Sequence, residues 1–412
     1  MSDYGLWNSA LTKTPPVNLS FIVLFSIFLY PYSTSAFGND GISINYLFIF
    51  FPVVFALFSG KILLPGKSFI LVIILYVLIF VMATAYQYSY AEFAGRRLIS
   101  FIIFMSIFSY IFIRIDSTMV ASFKSAVIVI SLFFSLVSLY KYFSLEGHVL
   151  GFSAKDVIGS QRFGYVYVLA IVLLLEYRTS TKLSGFLKMV GLLTLQLGLL
   201  LTFSRSGIVA ILAVAGLYIG IKTLKRIMKH TQLETGVILN IALIGIVYIL
   251  LLYLTLPDVF EFYFQNLFSL TQPTGLPTFV LASDPATSEG FRIFMFQQVM
   301  EFISNNPFTG AGYLGVWILS ESHSGSAHVQ MIDVLFRTGI LGFIAYVFLI
   351  YKLLRFLYER ESGLFFGLIG ILVYGVFHET FKDSQGGFIL AFLMGMMAQF
   401  KTSVVKADDS RH

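Results

Sequence analysis

The sequence contains no cysteine and few charged residues, and each shortage excludes a class of protein. Without cysteine, the chain can form no disulfide, no thiolate metal site and no cysteine nucleophile. Charged residues make up 12% of the 412 residues and hydrophobic residues 58%, whereas about a quarter of an ordinary soluble domain is charged. The composition therefore excludes a water-soluble domain of any size and predicts an integral membrane protein.

Two sequence patterns are missing as well. The opening segment MSDYGLWNSALTKTPP lacks the basic stretch, the short apolar core and the small-residue cleavage site of a signal peptide, so the first apolar span is expected to be retained. The alternating ten-residue segments of a membrane β-barrel are also absent. The spans should therefore be helices, because helices close their backbone hydrogen bonds internally.

What the sequence does contain is a series of apolar stretches, each near the roughly 20 residues that cross a bilayer as a helix. They lie near residues 18–37, 42–60, 68–87, 97–115, 120–142, 163–177, 185–203, 206–221, 235–256, 329–351, 363–380 and 386–400. The predicted fold class is an all-α integral membrane protein with about 12 transmembrane helices.

Lysine and arginine are unevenly divided between the two sides of this arrangement. If Met1 is cytoplasmic, eighteen of the 27 basic residues fall in inner segments, among them the run from Lys222 to Lys229. An excess of basic residues in short loops marks the cytoplasmic side, so both termini are predicted to be cytoplasmic. Because these loops account for the net charge of +6, we predict membrane lipids and no nucleic acid as partners.

The only long connection is predicted to face outward and divides the chain into three segments. Residues 1–256 hold helices 1–9, residues 257–328 form a partly helical periplasmic loop, and residues 329–412 hold helices 10–12 and a cytoplasmic tail. In the loop, Gln297, Glu301 and Asn305 recur every four residues, which predicts an amphipathic helix over 289–305. Pro307 should end this helix, ahead of a glycine-rich turn at 309–315.

Several arginines lie at or just inside the outer ends of spans, where a charge is costly and needs a reason. Guanidinium groups facing one outer pocket would suit a diphosphate, because each planar fork can hold phosphate oxygens bidentately. The structural alternative for any one of them is an interaction with lipid headgroups. Arg205 is the strongest candidate, because its neighbours Ser204, Ser206 and Gly207 are small and allow close approach. The candidates are Arg96, Arg97, Arg162, Arg205 and Arg292.

Histidines supply candidate bases near the same face. His323 and His328 precede the tenth span, where a neutral imidazole can take a proton from a hydroxyl. An interfacial hydrogen-bonding role is the structural alternative, and the ligand spacings of zinc sites are missing. His378 and Glu379, at the outer end of the eleventh span, form another candidate acid–base pair.

At this point the order of motifs carries a resemblance to a known family. RFG at 162–164, TFSRSG at 202–207, an Arg-led helix before NPFTGAG at 306–312, and AHVQ…GILG at 327–342 follow one another along the chain. Together they resemble the O-antigen ligase and O-antigen polymerase superfamily, over residues 155–345. These bacterial inner-membrane glycosyltransferases move a glycan from undecaprenyl diphosphate to an acceptor hydroxyl on the periplasmic face.

The resemblance implies roles for individual residues. Arg205 and Arg292 match the family's diphosphate-binding arginines, and His328, eleven residues before Gly339, matches the histidine that activates the acceptor. The family often has asparagine after that histidine and an acidic residue two before the glycine, where this chain has Val329 and Arg337. Asp333 lies one helical turn before Arg337 and can pair with it. The remaining substrate-binding candidates are Arg162, Arg96, Arg97, His323, Arg337 and Asp333.

The resemblance implies a GT-C-like, inverting glycosyltransferase with its active site facing the periplasm. No metal or other cofactor is predicted, because arginines can stabilise the charge that develops on the diphosphate. The predicted partners are an undecaprenyl-diphosphate-linked glycan donor, a glycan or lipid-linked acceptor, and a chain-length regulator. The Asp333 and Arg337 pattern and the modest outer loop favour an O-antigen polymerase.

Two alternatives remain open at this stage. One is an O-antigen ligase that transfers the polymer to lipid A-core. The other is a twelve-helix transporter or flippase, which would bind its substrate near the bilayer midplane and show two related halves. The clustering of unusual charges at outer span ends and the single long loop argue against the transporter.

Overall fold

The computed structural model describes part of the chain. The described residues are 67–85, 115, 117–144, 164–177, 179–202, 204–228, 253, 288–312, 319, 329–378, 380–381 and 384–409. Four predicted spans, near 18–37, 42–60, 97–115 and 235–256, lie outside them apart from residues 115 and 253. The candidates Arg96, Arg97, Arg162, His323, His328 and Glu379 also lie outside the described residues.

All regular secondary structure in the described ranges is helical. The helices are α1 (Lys67–Ala85), α2 (Ser117–Ser144), α3 (Gly164–Glu176), α4 (Lys182–Leu201), α5 (Arg205–Met228), α6 (Ser288–Asn305), α7 (Gln330–Arg360), α8 (Ser362–Tyr374) and α9 (Ser384–Asp409). Each of the eight predicted spans that falls on described residues contains a helix, and α6 is the helix predicted in the long loop.

The described helices are those of a membrane protein. Within the described residues, three are long and apolar enough to cross a bilayer: Met119–Tyr140 of α2, the whole of α4 and the whole of α7. Shorter apolar helices occur within α1, α3, α5, α8 and α9. Large apolar side chains such as Leu71, Met82 and Leu212 are more than 60% exposed, as expected for a surface that faces lipid. The all-helical membrane fold is thus confirmed, and the number of spans stays a prediction.

Several helices run past, or stop short of, the approximate bounds of the predicted spans. The tenth span was expected near 329–351, and α7 continues to Arg360. The eleventh was expected near 363–380, and α8 ends at Tyr374, where a turn follows. A tertiary hydrogen bond accompanies this earlier end: the Gly375 carbonyl accepts from the backbone N–H of Gln330, 2.8 Å away. A polar contact from a distant segment therefore lies where this helix ends.

The chain separates into two compact units. The first unit comprises residues within Met1–Ile130, Thr278–Phe365 and Gly375–His412. In it α1 and α6 pack on α7, and Phe123 of α2 stacks on Phe392 of α9 with ring centroids 4.2 Å apart. A largely buried ion pair joins Lys124 to Glu361, at the junction of α7 and α8. Both segments carry basic residues that the sequence assigns to the cytoplasmic side, and the orientation stays a prediction.

The second unit comprises residues within Ser131–Pro277 and Phe366–Tyr374 and is built around α3. Every side chain of α3 from Gly164 to Leu174 is buried, the pattern of a helix surrounded by others. The end of α8 packs closely on it, because a Cβ on Gly367 would overlap Leu169. The α4 helix approaches α2 equally closely, since a Cβ on Gly198 would overlap Ser135. Small residues thus allow close helix contacts.

Candidate functional site

In the first unit, the long helix α7 is broken near its predicted outer end. Gly339 has φ 64° and ψ −173°, which no helix accommodates, so the element consists of segments 330–338 and 340–360. Residues 340–360 rise about 31 Å, enough to cross the hydrocarbon core alone. Residues 330–338 are therefore a separate short helix, which begins two residues after His328 and carries Asp333 and Arg337.

The turn formed by residues 306–312 satisfies the backbone groups that this break leaves unpaired. The N–H groups of Ala311 and Gly312 donate to the carbonyls of Phe336 and Arg337, at 2.7 and 2.9 Å. The N–H of Ile340 donates to the Pro307 carbonyl, at 2.7 Å. A buried backbone group without a partner is costly in a membrane protein. The break and the 306–312 turn therefore require each other.

Two glycines make this contact sterically possible, and we call Gly310 and Gly339 the glycine pair. Their φ angles are 69° and 64°, in the left-handed region that disfavours other residues. A Cβ on Gly310 would lie 2.5 Å from the Gly339 nitrogen, and one on Gly339 would overlap the Phe308 carbonyl. The two backbones are in direct contact, so neither position has room for a side chain.

The same contact fixes the helix α6 relative to α7. Met295, Val299 and Ile303 lie on one face of α6 and form a buried cluster with Ala311 and Phe336. The polar residues Gln297, Glu301 and Asn305 are exposed on the other side, as their four-residue spacing predicts. Arg292 lies in the first half of α6. The backbone that carries it is thus held against the short helix that follows His328.

Asp333 and Arg337 form a buried ion pair on that short helix. Arg337 Nε donates to Asp333 Oδ2 at 2.7 Å, and the two side chains are 11% and 4% exposed. Tyr76 of α1 lies close enough to interact with both charges. The pairing predicted from the four-residue spacing is confirmed, whereas binding of substrate by either residue stays a prediction. Removal of one partner of such a pair leaves a buried charge without compensation.

The start of α7 is also anchored to the segment after α8. Gln330 donates its backbone N–H to the Gly375 carbonyl, and its side-chain Oε1 accepts from the Phe381 N–H, both at 2.8 Å. Gln330 is only 4% exposed. This anchor brings the segment that contains His378 beside the start of α7. Sequence reasoning missed Gln330, whose only signal is a polar residue at the start of an apolar helix.

In the second unit, buried hydroxyl groups surround the turn between α4 and α5. Thr202 caps α4, and the carbonyl of Ser204 accepts the Gly207 N–H at 3.1 Å, so Ser204 occupies the N-cap position of α5. The Ser204 hydroxyl lies 2.9 Å from the hydroxyls of both Ser206 and Tyr374. We call these three residues the hydroxyl cluster. Arg205 is the first residue of α5, so the cluster holds the backbone from which this arginine projects.

The described part of the chain is a helical membrane protein with a broken helix, a buried ion pair and an arginine at a constrained turn. Residues 190–347 match the model of a family described as O-antigen ligase. The members of this family are enzymes of the glycosyltransferase type that act on lipid-linked glycans. No curated protein matches the chain.

The matched region includes the features described above, with the exception of some contacting residues. These are Tyr76 of α1, Tyr374 of α8, and Gly375 and Phe381 in the segment after α8. It contains the Ser204–Arg205 turn, the α6 helix, the 306–312 turn and the break at Gly339. The predicted resemblance is confirmed. The roles of Arg205, Arg292 and His328 stay predictions, because the structure describes only the backbone at the two arginines and His328 lies outside the described residues.

Proposed function

We propose that the protein is a metal-independent, inverting glycosyltransferase that moves a glycan from undecaprenyl diphosphate to a sugar hydroxyl on the periplasmic face of the bacterial inner membrane. Within this class we propose a surface polysaccharide polymerase of the O-antigen polymerase type. The observation that carries the proposal is the O-antigen ligase domain over residues 190–347, which contains both matched arginines and the matched histidine.

The proposed reaction needs two kinds of protein group. The bond between the anomeric carbon and the diphosphate oxygen breaks, and the acceptor oxygen forms a new bond to the same carbon from the opposite face. Arg205 and Arg292 stabilise the negative charge that develops on the leaving diphosphate. His328 takes the proton from the acceptor hydroxyl as general base. The products are the elongated glycan and undecaprenyl diphosphate.

The geometry of the first unit supports this assignment by preorganisation. The glycine pair fixes the backbone of α6 against the short helix that begins two residues after His328. Groups held at a set spacing before the substrate arrives need no reorganisation during the reaction. The buried Asp333–Arg337 pair, with Tyr76 beside it, adds a fixed charge arrangement to that helix. A loop of variable conformation would not provide this.

The second candidate is the ligase, and the description of the matched family favours it. A ligase would transfer a finished polymer to lipid A-core instead of adding repeats. We prefer the polymerase because this chain has Arg337, in a buried pair with Asp333, where the family often has an acidic residue, and this departure counts against the ligase. The enzyme class of the family leaves the transporter alternative without support.

One deletion experiment separates these functions. Surface polysaccharide from a strain without the gene is separated on a gel, together with that from a strain complemented by the wild-type gene. A product with a single repeat identifies a polymerase, whose length distribution would depend on a chain-length regulator. Unattached polymer of full length identifies a ligase. Loss of any periplasmic product would identify a transporter and overturn the proposal.

A second experiment addresses the metal. Within the described residues no group of three His, Asp or Glu side chains is placed to hold a metal ion, but His323 and His328 lie outside them, so metal independence stays a prediction. Purified protein is assayed with and without a chelator. Unchanged turnover supports the proposal. Loss of activity that a divalent cation restores would overturn the metal-free mechanism.

A further inference from the structure

Tyr374 is the largest polar side chain of the hydroxyl cluster and is completely buried at the end of α8. Its hydroxyl is 2.9 Å from that of Ser204, which is in turn 2.9 Å from Ser206. The two serines are 2% and 5% exposed. Hydrogen-bonded hydroxyls in an apolar bundle favour one arrangement, because any other leaves a buried polar group unpaired.

The first contact of Tyr374 constrains the start of α5. Ser204 occupies the N-cap position, and its side chain, which bonds to Tyr374, is one residue from Arg205. The two partners are 170 residues apart in sequence, so this bond fixes a local turn through a distant helix. A shift of the turn would move the Cα atom of Arg205 with it.

The second contact constrains the start of α3. The phenol ring of Tyr374 lies against Gly164, and a Cβ on that glycine would be 2.6 Å from the phenol oxygen. Gly164 is the first residue of α3 and follows Arg162 by two positions. Tyr165 packs edge-to-face on the same ring, with centroids 5.9 Å apart. One side chain therefore touches the first turns of two helices that each begin beside a candidate arginine.

We propose that Tyr374 is a positioning residue for the diphosphate site: it sets the spacing between the starts of α3 and α5, and Arg205 is the first residue of α5. This inference rests on the proposed function, because it assumes that a diphosphate binds Arg205. Tyr374 acts through the backbone and through Ser204 and does not itself touch the substrate. Within the second unit, the ring of Tyr374 packs on Gly164 at the start of α3, and its hydroxyl makes the hydrogen bond to Ser204 at the start of α5.

The test uses Tyr374→Phe in the full-length protein, since this change keeps the ring and removes the hydroxyl. Hydrogen exchange of the amides at 204–210 reports on the turn, and the Kd for undecaprenyl diphosphate reports on the site. We expect faster exchange at 204–210 and a Kd about five- to tenfold weaker, the factor that one lost hydrogen bond typically produces. Ser204→Ala should have at least as large an effect, because it also removes the bond to Ser206. The double variant should add little to Ser204→Ala, because the bond between Ser204 and Tyr374 is already lost in that variant.

Tyr346→Phe is the matched control. Tyr346 is also buried, at 3% exposure, but its hydroxyl has no hydrogen-bond partner among the described residues and it belongs to the first unit. Neither exchange at 204–210 nor the Kd should change. A second comparison uses an Arg205→Lys background, in which Tyr374→Phe should weaken binding less than in the wild type, because the side chain that it positions no longer offers the bidentate fork.

Unchanged exchange at 204–210 in Tyr374→Phe would overturn the positioning role. Faster exchange with an unchanged Kd would overturn the link between Tyr374 and the diphosphate. If the wild-type protein itself binds no undecaprenyl diphosphate, the proposed function and the ligand assignment fail together. The exchange measurement needs no ligand and so distinguishes that failure from a failure of the structural argument.

Discussion

The glycine pair of the first unit and the hydroxyl cluster of the second unit both hold a backbone that carries a candidate catalytic group, but they do so differently. The glycine pair places backbone against backbone at φ angles of 69° and 64°. The hydroxyl cluster joins three side chains by hydrogen bonds of 2.9 Å. A steric contact between backbones has no partly satisfied state, whereas hydrogen bonds can be removed one at a time. We therefore expect substitutions in the first unit to cause an abrupt loss of glycan transfer. Substitutions in the second unit should cause a graded loss of substrate binding.

The largest effect should follow Gly339→Ala. A positive φ with ψ near 180°, as at Gly339, is essentially restricted to glycine and costs another residue about 1–3 kcal/mol, and the added Cβ would also overlap the Phe308 carbonyl. The 306–312 turn would separate from α7, which would leave the N–H of Ile340 and two carbonyls unpaired. We expect no detectable glycan transfer and a protein of much lower Tm after extraction in detergent.

Gly216→Ala provides the control for that substitution. Gly216 lies within α5 and has no atom within 4 Å of an added Cβ, so alanine should be neutral or stabilise the helix slightly. Wild-type activity in Gly339→Ala would show that the φ of 64° and the contact with Phe308 are not needed, and the contrast between the two units would disappear.

The next largest effect should follow a change at His328, two residues before the short helix of residues 330–338. His328→Ala should reduce glycan transfer by about 10²–10⁴, the usual contribution of general-base assistance, while Tm and the Kd for undecaprenyl diphosphate stay near the wild-type values. His323→Ala is the comparison and should lose less, because the resemblance gives it no counterpart. A purified His328→Ala enzyme with the wild-type turnover rate would contradict the assignment.

This contrast shows where sequence reasoning succeeded and where it could not. The sequence predicts a span at residues 163–177, and α3 occupies Gly164–Glu176. This prediction succeeds because a long apolar run is itself the signal of a buried helix. The Asp333–Arg337 pair followed from a spacing of four residues within one helix. Both predictions depend on neighbours within a few helical turns.

The features that sequence reasoning missed depend on distant partners. Gly339 lies in an apolar run that reads as continuous helix, and its φ is set by a turn some thirty residues earlier. Tyr374 and Ser204 are 170 residues apart, and nothing in either local sequence indicates the other. The glycines of TGAG and GILG were visible as motifs, but only the structure shows that Gly310 and Gly339 are in contact.

A third prediction separates charge from packing in the first unit. Arg337→Met removes the guanidinium that donates a hydrogen bond to Asp333. The Asp333 carboxylate, which is 4% exposed, then keeps its charge without this ion pair. Loss of one partner of a buried pair typically costs about 3–5 kcal/mol, so Tm should fall strongly. The double variant Asp333→Leu, Arg337→Met should recover much of that stability, because neither charge remains. If the double variant is stable but inactive, the pair serves the reaction. Stability and activity that recover together would show a structural role alone.

The smallest effect should follow Ser206→Ala in the second unit. This change removes the 2.9 Å bond to Ser204 and leaves the bond between Ser204 and Tyr374 in place. One hydrogen bond contributes about 0.5–1.5 kcal/mol net, so the Kd for undecaprenyl diphosphate should weaken by less than in Tyr374→Phe. Ser184→Ala is the control, because the Ser184 hydroxyl makes three hydrogen bonds with Thr181 in an exposed capping box at the start of α4. It should lower stability modestly without any change in the Kd. A loss of binding in Ser206→Ala as complete as that in Gly339→Ala would mean that the hydroxyl cluster also has no partly satisfied state, and the distinction between the two units would be wrong.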